Sequence, residues 1–152
     1  MPPEDPNKAK ARKSADTGRE GEEIAVRYLT RRGCTVLARN WRSSLRSSPG
    51  EVDIIAECPP QSDGQSGGIR ELAFIEIRTR HGGPGLAEGS LSRRKAASMA
   101  AAAYAYMTVQ GLDPEVTPWR IDLLAISMSG SHVTSINWIR SAIGEEMITP
   151  SM

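Results

Sequence analysis

The sequence predicts an α/β protein in which a mixed central β-sheet is flanked by helices. Two short runs rich in β-branched residues, 50–56 and 73–80, are joined by a loop rich in proline, glycine and serine. Stretches with the apolar spacing or composition of helices lie on either side of this pair, and two further strand-like runs follow the second helix. The predicted order is therefore helix, three strands, helix and two strands, without repeats or a second domain.

Length and composition are typical of one soluble globular domain: 152 residues, of which 39% are apolar and 24% charged. No apolar run is long enough to cross a bilayer and the amino terminus lacks a signal-peptide pattern, so we expect a cytoplasmic protein that does not bind membranes. The net charge of +1 gives no general electrostatic argument for nucleic-acid binding. Cys34 and Cys58 lack the spacing of a metal or redox site, and we expect two free thiols.

Two tails are predicted around the domain. Residues 1–14 carry prolines and lysines with almost no apolar residues, which is typical of a disordered segment. We expect a single domain over residues 15–140 and a second tail over residues 141–152.

The first helix is predicted from Asp16 to Arg32, with Asp16 or Thr17 as its cap and Gly33 as its terminator. Its core-facing residues recur at helical spacing: Ile24, Ala25, Tyr28 and Leu29. Glu22 lies on the same side near the predicted helix start. It is either a site residue or a first-turn acid favoured by the helix dipole.

Five strands are predicted: 35–39, 51–56, 70–79, 119–127 and 132–138. Segment 40–49 is expected to be a loop or irregular strand, and 57–68 a long, mobile connection. The last two strands form a hairpin broken at Gly130. The second helix is capped by Ser90 and runs to Met107, and its many alanines favour a helix that packs closely on a sheet.

An acidic residue lies at the centre of each neighbouring run, Asp53 in the first and Glu76 in the second. A charge inside an apolar strand is costly unless it is paired. If the two strands pair as a hairpin, the carboxylates converge, and such oxygen ligands suit Mg²⁺, which would activate a water against a phosphodiester. Side chains alternate along a strand, so Phe74, Glu76 and Arg78 share one face, and Arg78 is placed to stabilise the developing charge.

The same acids also have a purely structural interpretation. Asp53 and Glu76 would then form salt bridges with Arg78, Arg80 or Arg120, because ion-pair networks imitate catalytic sites. The pattern of residue types leaves both interpretations open.

Basic residues form two clusters along the chain, one around Arg42 and one at residues 93–95. They are either solvated surface or, if both flank the acidic strands in space, a nucleic-acid-binding surface. The candidate nucleic-acid-binding residues are Arg42, Arg80, Arg93, Arg94 and Lys95.

Several ordered segments between Gly18 and Ile139 carry a resemblance to a known family. Residues 50–56 resemble a GEIDLIA segment and residues 74–80 an FVEVKxR segment, while Lys95 matches a lysine of the second helix. Further matches are Gly21-Glu22, residues 39–42 and residues 119–122. In order and spacing the chain resembles the YraN family of bacterial proteins, which is similar to archaeal Holliday-junction resolvases and to the PD-(D/E)xK nuclease superfamily.

This resemblance implies a restriction-endonuclease-like fold and one nuclease-like domain. It implies that Asp53 and Glu76 bind Mg²⁺ or Mn²⁺ together with the main-chain carbonyl of Ile77, and that Glu22 is an accessory acid. It further implies action on duplex or branched DNA, and a resolvase that cuts symmetrically would work as a homodimer.

Arg78 departs from the superfamily pattern, which has lysine at this position. Arginine keeps the positive charge and braces a phosphate through two donors, but it stays protonated and is larger than an ammonium. Three alternatives follow. Arg78 replaces the charge of the missing lysine, or Lys95 supplies the ammonium from the second helix, or the site binds metal and nucleic acid without cutting. The sequence thus predicts a metal-dependent endonuclease, with a non-cleaving nucleic-acid-binding module as the alternative.

Overall fold

In a computed structural model, the described residues are 6–44, 50–60, 68–82 and 91–142, with side chains described from residue 18 onward. They form two helices and five strands in the predicted order: α1 (Pro6–Arg31), β1 (Thr35–Arg42), β2 (Glu51–Cys58), β3 (Glu71–His81), α2 (Arg93–Val109), β4 (Trp119–Ser129) and β5 (His132–Ile139). No helix within these ranges is long and apolar enough to cross a membrane.

The five strands form one sheet in the order β1-β2-β3-β4-β5. β3 and β4 are parallel, whereas the other neighbouring pairs are antiparallel. Parallel neighbours need a crossover connection, and α2 provides it between β3 and β4. The prediction of an α/β fold with a mixed sheet is confirmed, as is the final hairpin.

Two apolar cores lie on opposite faces of the sheet, because alternate side chains of a strand point to opposite sides. Leu72 and Phe74 of β3 pack with α2 on one face. Ala73 and Ile75 pack with α1 on the other. The predicted alternation of β3 is thus confirmed, and it continues to Glu76 on the α2 face.

Gly50, directly before β2, allows α2 to lie very close to the sheet. A Cβ atom at this position would be 2.6 Å from the Cβ of Ala102 and 2.7 Å from the main-chain oxygen of Ser98. The buried side of α2 is rich in small residues: Ala96, Ala100, Ala102, Ala103 and Ala105. This close contact holds the first half of α2 against the end of the sheet where β2 begins.

α1 extends further toward the amino terminus than predicted. It begins at Pro6 instead of Asp16, so residues 6–14 lie in the helix and not in a separate tail. Alanine and lysine are frequent in this stretch and favour a helix, and proline suits the first helical position. Asp16 and Thr17 therefore lie inside α1 and do not cap it.

The remaining boundaries differ from the prediction by a few residues. Ser92 caps α2, since its hydroxyl accepts a hydrogen bond from the main-chain N–H of Lys95, whereas Ser90 lies outside the described residues. Most of the predicted 57–68 connection also lies outside them. Ala142 donates its main-chain N–H to the carbonyl of Ile121 at 2.8 Å, so the described start of the predicted carboxy-terminal tail packs on β4.

Cys34 and Cys58 are joined by a disulfide, so the prediction of two free thiols is wrong. The register of β1 on β2 pairs Thr35 with Glu57, which places the cysteines just beyond them opposite each other. Both are buried, Cys34 at 5% exposure and Cys58 at 0%. Their proximity depends on strand register, which cysteine spacing in a sequence does not reveal.

Candidate active site

The candidate site lies where β2 and β3 stop pairing. The antiparallel ladder between them ends at Ile54 and Ile75, although both strands continue beyond it. At this point Asp53 Oδ2 accepts a hydrogen bond of 2.8 Å from the main-chain N–H of Ile77. A side-chain carboxylate thus takes the place of a main-chain partner, and the two strands diverge around it. We call this gap between β2 and β3 the fork.

Glu76 brings a second carboxyl group to the fork. Its carboxyl lies close enough to that of Asp53 for the two groups to interact, and its side chain is only 15% exposed. Burial, and secondarily the negative charge of Asp53, raise the pKa of Glu76 to about 7. Burial also raises the pKa of Asp53, against the opposing effect of the Ile77 N–H bond. The two partly buried acids therefore lie close together without enough nearby positive charge to offset their burial and mutual repulsion.

Lys95 supplies the cation nearest to this pair. Its Nζ lies 3.3 Å from Oε2 of Glu76. The lysine sits in the first turn of α2, where Ser92 caps the helix and the helix dipole favours negative charge. The sequence placed Lys95 at the start of the second helix, and the structure brings it into direct contact with the acidic pair.

The oxygen atoms of the fork fit a divalent cation in one respect and fall short in another. Oε2 of Glu76 is buried and accepts no hydrogen bond, although Lys95 lies within ion-pair distance. Mg²⁺ commonly binds through one or two carboxylates and keeps several waters, so Asp53 and Glu76 are a sufficient protein contribution. Among the described residues, however, no group of three or more His, Cys, Asp or Glu side chains converges.

Ile77 lies in the fork by virtue of its main chain. Its N–H is the group that donates to Asp53. Its side chain is partly buried against the α1 core. The carbonyl of the same residue was predicted to be a metal ligand, and that role remains a prediction.

Glu22 lies in the middle of α1, which excludes the interpretation that it is a first-turn acid. Its carboxylate accepts hydrogen bonds from Arg39 Nε at 2.6 Å and from Asn40 Nδ2 at 3.0 Å. Asn40 has a positive φ of 49°, which asparagine tolerates better than most residues. Glu22 is thus tied to β1.

Gly21 explains how α1 reaches the fork. A Cβ atom at Gly21 would overlap the side-chain oxygen of Thr79 and touch the side chain of Ile77. The absence of a side chain therefore lets α1 cross β3 just beyond the acidic pair. Glu22 is the next residue of α1, so it lies on the helix that crosses this end of β3.

The predicted basic residues all lie toward the end of the sheet where the fork is located. Arg42 ends β1 and pairs with Glu51 at 3.3 Å, at the beginning of β2. Arg78 is half-buried and follows Glu76 by two residues on β3, with the exposed Arg80 beyond it. The remaining basic residues, Arg93, Arg94 and Lys95, open α2. The nucleic-acid-binding interpretation requires both basic clusters to flank the acidic strands, and contact of these residues with nucleic acid remains a prediction.

The structure contains a buried ion-pair network around Arg120 that the sequence did not predict. Arg120 does not reach the fork: its Nε donates to Asp122 Oδ2 at 3.0 Å and its Nη1 to Glu71 Oε2 at 2.9 Å. Asp122 is fully buried and also accepts from Trp138 Nε1 and from the main-chain N–H of Ser141. Arg120 and Asp122 are two residues apart on a strand, a spacing that places both on one face and was the available signal.

Comparison with known proteins identifies relatives over most of the chain. The model of Uncharacterised protein family UPF0102 matches residues 21–126, a range that includes the fork. UPF0102 proteins from Roseiflexus castenholzii and Chloroflexus aurantiacus are 42% and 33% identical over 127 and 129 residues. These matches cover 82% and 85% of this chain and 90% and 93% of the relatives. A UPF0102 protein from Pseudomonas savastanoi is 32% identical over 126 residues, covering 82% of this chain and 90% of its own length.

Proposed function

The chain belongs to the UPF0102 (YraN) family, and from the geometry of its paired acids we propose that it is a metal-dependent DNA endonuclease. The reaction is hydrolysis of a phosphodiester: a water oxygen attacks phosphorus, the bond to the leaving oxygen breaks, and that oxygen takes up a proton. The single observation that carries this proposal is the meeting of Asp53 and Glu76 at the fork, with Lys95 3.3 Å from Glu76.

Asp53 and Glu76 are the residues that would hold the cation, Mg²⁺ or Mn²⁺, with the carbonyl of Ile77 as a further ligand. A bound dication would lower the pKa of a coordinated water and neutralise charge on the phosphodiester oxygens. Asp53 and Glu76 lie close together and are poorly solvated, and one oxygen of Glu76 is buried without a hydrogen bond. A bound cation would stabilise the ionised form of both carboxyl groups strongly in this environment. The N–H of Ile77 fixes the orientation of Asp53.

Positive side chains supply the rest of the proposed chemistry. Lys95 already touches Glu76 and is positioned to donate to a phosphate oxygen or to the attacking water. Arg78, two residues beyond Glu76, keeps a permanent charge and offers two parallel donors to a phosphate. Glu22 would be a positioning residue, acting through Arg39 and Asn40 on the neighbouring strand.

A restriction-endonuclease-like fold and a preference for branched DNA are parts of the same proposal. The order of one helix, three strands, a helix and a strand parallel to the third supports that fold. The preference for branched or other duplex DNA is supported by the resemblance of residues 50–56 and 74–80 to nuclease motifs. Symmetrical cutting of a junction would need a homodimer.

The experiment is cleavage of four-way-junction, flapped and plain duplex DNA with and without Mn²⁺. We expect metal-dependent cutting by wild type, loss in Glu76→Ala with retained DNA binding, and normal cutting by Glu20→Ala. Glu20 is an exposed acid on α1 and is the matched control for the change of charge. Absence of cutting by wild type under every condition would contradict the proposal.

A second candidate function is a nucleic-acid-binding module with a degenerate site, and the arginine at position 78 favours it. The exchange of lysine for arginine at a shaped site is not conservative. Arg78→Lys separates the two functions. Cutting by wild type that Arg78→Lys changes only in rate supports the endonuclease, whereas cutting by Arg78→Lys alone shows that this one position removed the activity. Binding without cutting by either protein supports the module.

A further inference from the structure

A second cluster of positive charge lies on the α1 face of the sheet, at the edge formed by β5. It borders two adjoining depressions of about 420 and 340 Å³ that share Tyr28, Arg32 and Ile136. Four arginines surround them: two from the last turns of α1, one directly after α1 and one directly after β5. We call this feature the arginine cleft and define it by Arg27, Arg31, Arg32 and Arg140.

Two of these guanidinium groups are held in place by aromatic rings. The Arg32 guanidinium lies 4.6 Å from the ring centre of Tyr28, and that of Arg140 lies 4.3 Å from the ring of Trp138. The two rings pack edge to face with centres 6.3 Å apart. Stacking occupies the flat face of a guanidinium and leaves its N–H groups available at the rim.

The aromatic platform is itself fixed to the interior. Trp138 donates its Nε1–H to Asp122 at 2.9 Å, and Asp122 is fully buried. Tyr28 extends from α1, whose neighbouring Leu29 is fully buried in the core. The stacked arginines therefore lose less conformational freedom on binding a ligand than free surface arginines would.

Three arginines of the cleft lack an ion-pair partner in the part of the chain that the structure describes. Arg31, Arg32 and Arg140 form no ion pair with a described residue, whereas the charge of Arg27 interacts with the carboxylate of Glu23. The neighbouring strand, His132–Ile139, contains no acidic residue. Guanidinium groups without an ion-pair partner match the geometry of phosphate groups, which accept two parallel hydrogen bonds from one arginine.

We propose that the arginine cleft binds the phosphodiester backbone of the DNA that the fork engages, an inference that rests on the proposed function. Trp138 pairs with Leu124 and Leu124 with Ile77, so Trp138 lies two strands away from the fork in one row of the sheet. The cleft lies on the α1 face, whereas Glu76 and Lys95 meet on the α2 face. The cleft would therefore hold a segment of the DNA backbone away from the phosphodiester that is cut.

The test is equilibrium binding of fluorescently labelled duplex and four-way-junction DNA in EDTA, which prevents cutting, at several salt concentrations. The variants are the double change Arg32→Gln/Arg140→Gln, its charge-preserving counterpart Arg32→Lys/Arg140→Lys, and the control Arg19→Gln. Arg19 is exposed on the same helix, about 18 Å along its axis from Arg31. Thermal unfolding of each variant verifies that the fold is intact.

We expect the double glutamine variant to bind at least about 10-fold more weakly, with its salt slope smaller by about 2. The double lysine variant should recover the slope and only part of the affinity, and Arg19→Gln should match wild type. Equal binding by wild type and the double glutamine variant overturns the inference, as does an equal loss in Arg19→Gln.

The outcome separates this inference from the proposed hydrolysis. Weaker binding by the double glutamine variant, in a protein that does not cut DNA with Mn²⁺, supports the cleft and contradicts the endonuclease. Cutting by wild type with unchanged binding in the double glutamine variant supports the endonuclease and overturns the cleft. A wild-type protein that binds no DNA overturns both.

Discussion

Lys95 Nζ lies 3.3 Å from Glu76 Oε2, although Lys95 belongs to α2 and Glu76 to β3. The contact exists because Gly50 and the alanines of α2 let the helix lie close to the beginning of β2. It places an ammonium beside the paired acids from the direction of α2, while Arg78 approaches along β3. Lys95 is therefore as much a source of side-chain positive charge for the proposed site as Arg78.

Removal of the Lys95 ammonium should impair catalysis more than it impairs DNA binding. We expect Lys95→Ala to lower the single-turnover rate of Mn²⁺-dependent cleavage by about 100-fold or more, the usual effect of losing one positioned donor. Lys95→Arg restores the charge without the shape of the ammonium and should recover only part of the rate. Arg19→Ala, at an exposed position of α1, is the control, and an equal rate loss there would show that only general surface charge matters.

The acidic pair should make folding stability fall as the pH rises. Because the pKa of Glu76 is raised to about 7, above the ordinary value of 4.5, the folded state binds the proton more tightly than the unfolded state does. Stability is then full below the unfolded pKa and is lost as the pH rises through about 7. Glu76→Gln removes the contribution of Glu76 and should be more stable than wild type by about 3 kcal/mol above pH 7.

Denaturant unfolding of both proteins across this pH range measures the difference. The advantage of Glu76→Gln should disappear at a pH below the ordinary glutamate pKa, where the wild-type carboxyl is protonated in both states. A wild-type protein whose stability rises over the same window would show that Lys95 outweighs burial and the charge of Asp53.

Two glycine positions should respond in opposite ways to the same substitution. Gly50→Ala forces a methyl group against the main chain of α2 and should lower the free energy of unfolding by about 1–3 kcal/mol. Gly18→Ala has no atom within 4 Å of the new methyl and lies inside α1, so it should raise the free energy of unfolding by about 1 kcal/mol. Chemical denaturation of both variants measures the contrast, and equal effects would contradict the close packing of α2 on the sheet.

The parts of this molecule that follow from local pattern were predictable from sequence. Alternation along β3 places Phe74 on the α2 face, and strand-type residues around Asp53 and Glu76 predicted neighbouring strands. Contacts that depend on the packing of distant elements were not predictable in the same way. The meeting of Lys95 with Glu76 is one such contact, because it depends on how closely a helix approaches a sheet.

Register is the second property that the sequence did not reveal. The pairing of Thr35 with Glu57 brings Cys34 and Cys58 together, yet the cysteine spacing favours no bond. The start of α1 was missed for another reason: prolines and charge outweighed the helix propensity of alanine and lysine near Pro6.

The disulfide should stabilise the fold measurably. It closes a loop with a sequence separation of 24, and loops of this size correspond to about 3 kcal/mol in the chain-entropy description. We expect reduction, or the double change Cys34→Ala/Cys58→Ala, to lower the midpoint of denaturant unfolding. Thiol titration of the unfolded protein under non-reducing conditions should find no free thiol, and two free thiols would contradict the bond.

The most direct test of the central claim, that Asp53 and Glu76 together hold a divalent cation, is calorimetric titration of the protein with Mn²⁺ in the absence of DNA. Wild type and Glu20→Gln should bind one ion with equal affinity, whereas Asp53→Asn and Glu76→Gln should each abolish that binding. Saturable Mn²⁺ binding that survives in both Asp53→Asn and Glu76→Gln, or its absence from wild type, would contradict a cation site at the fork.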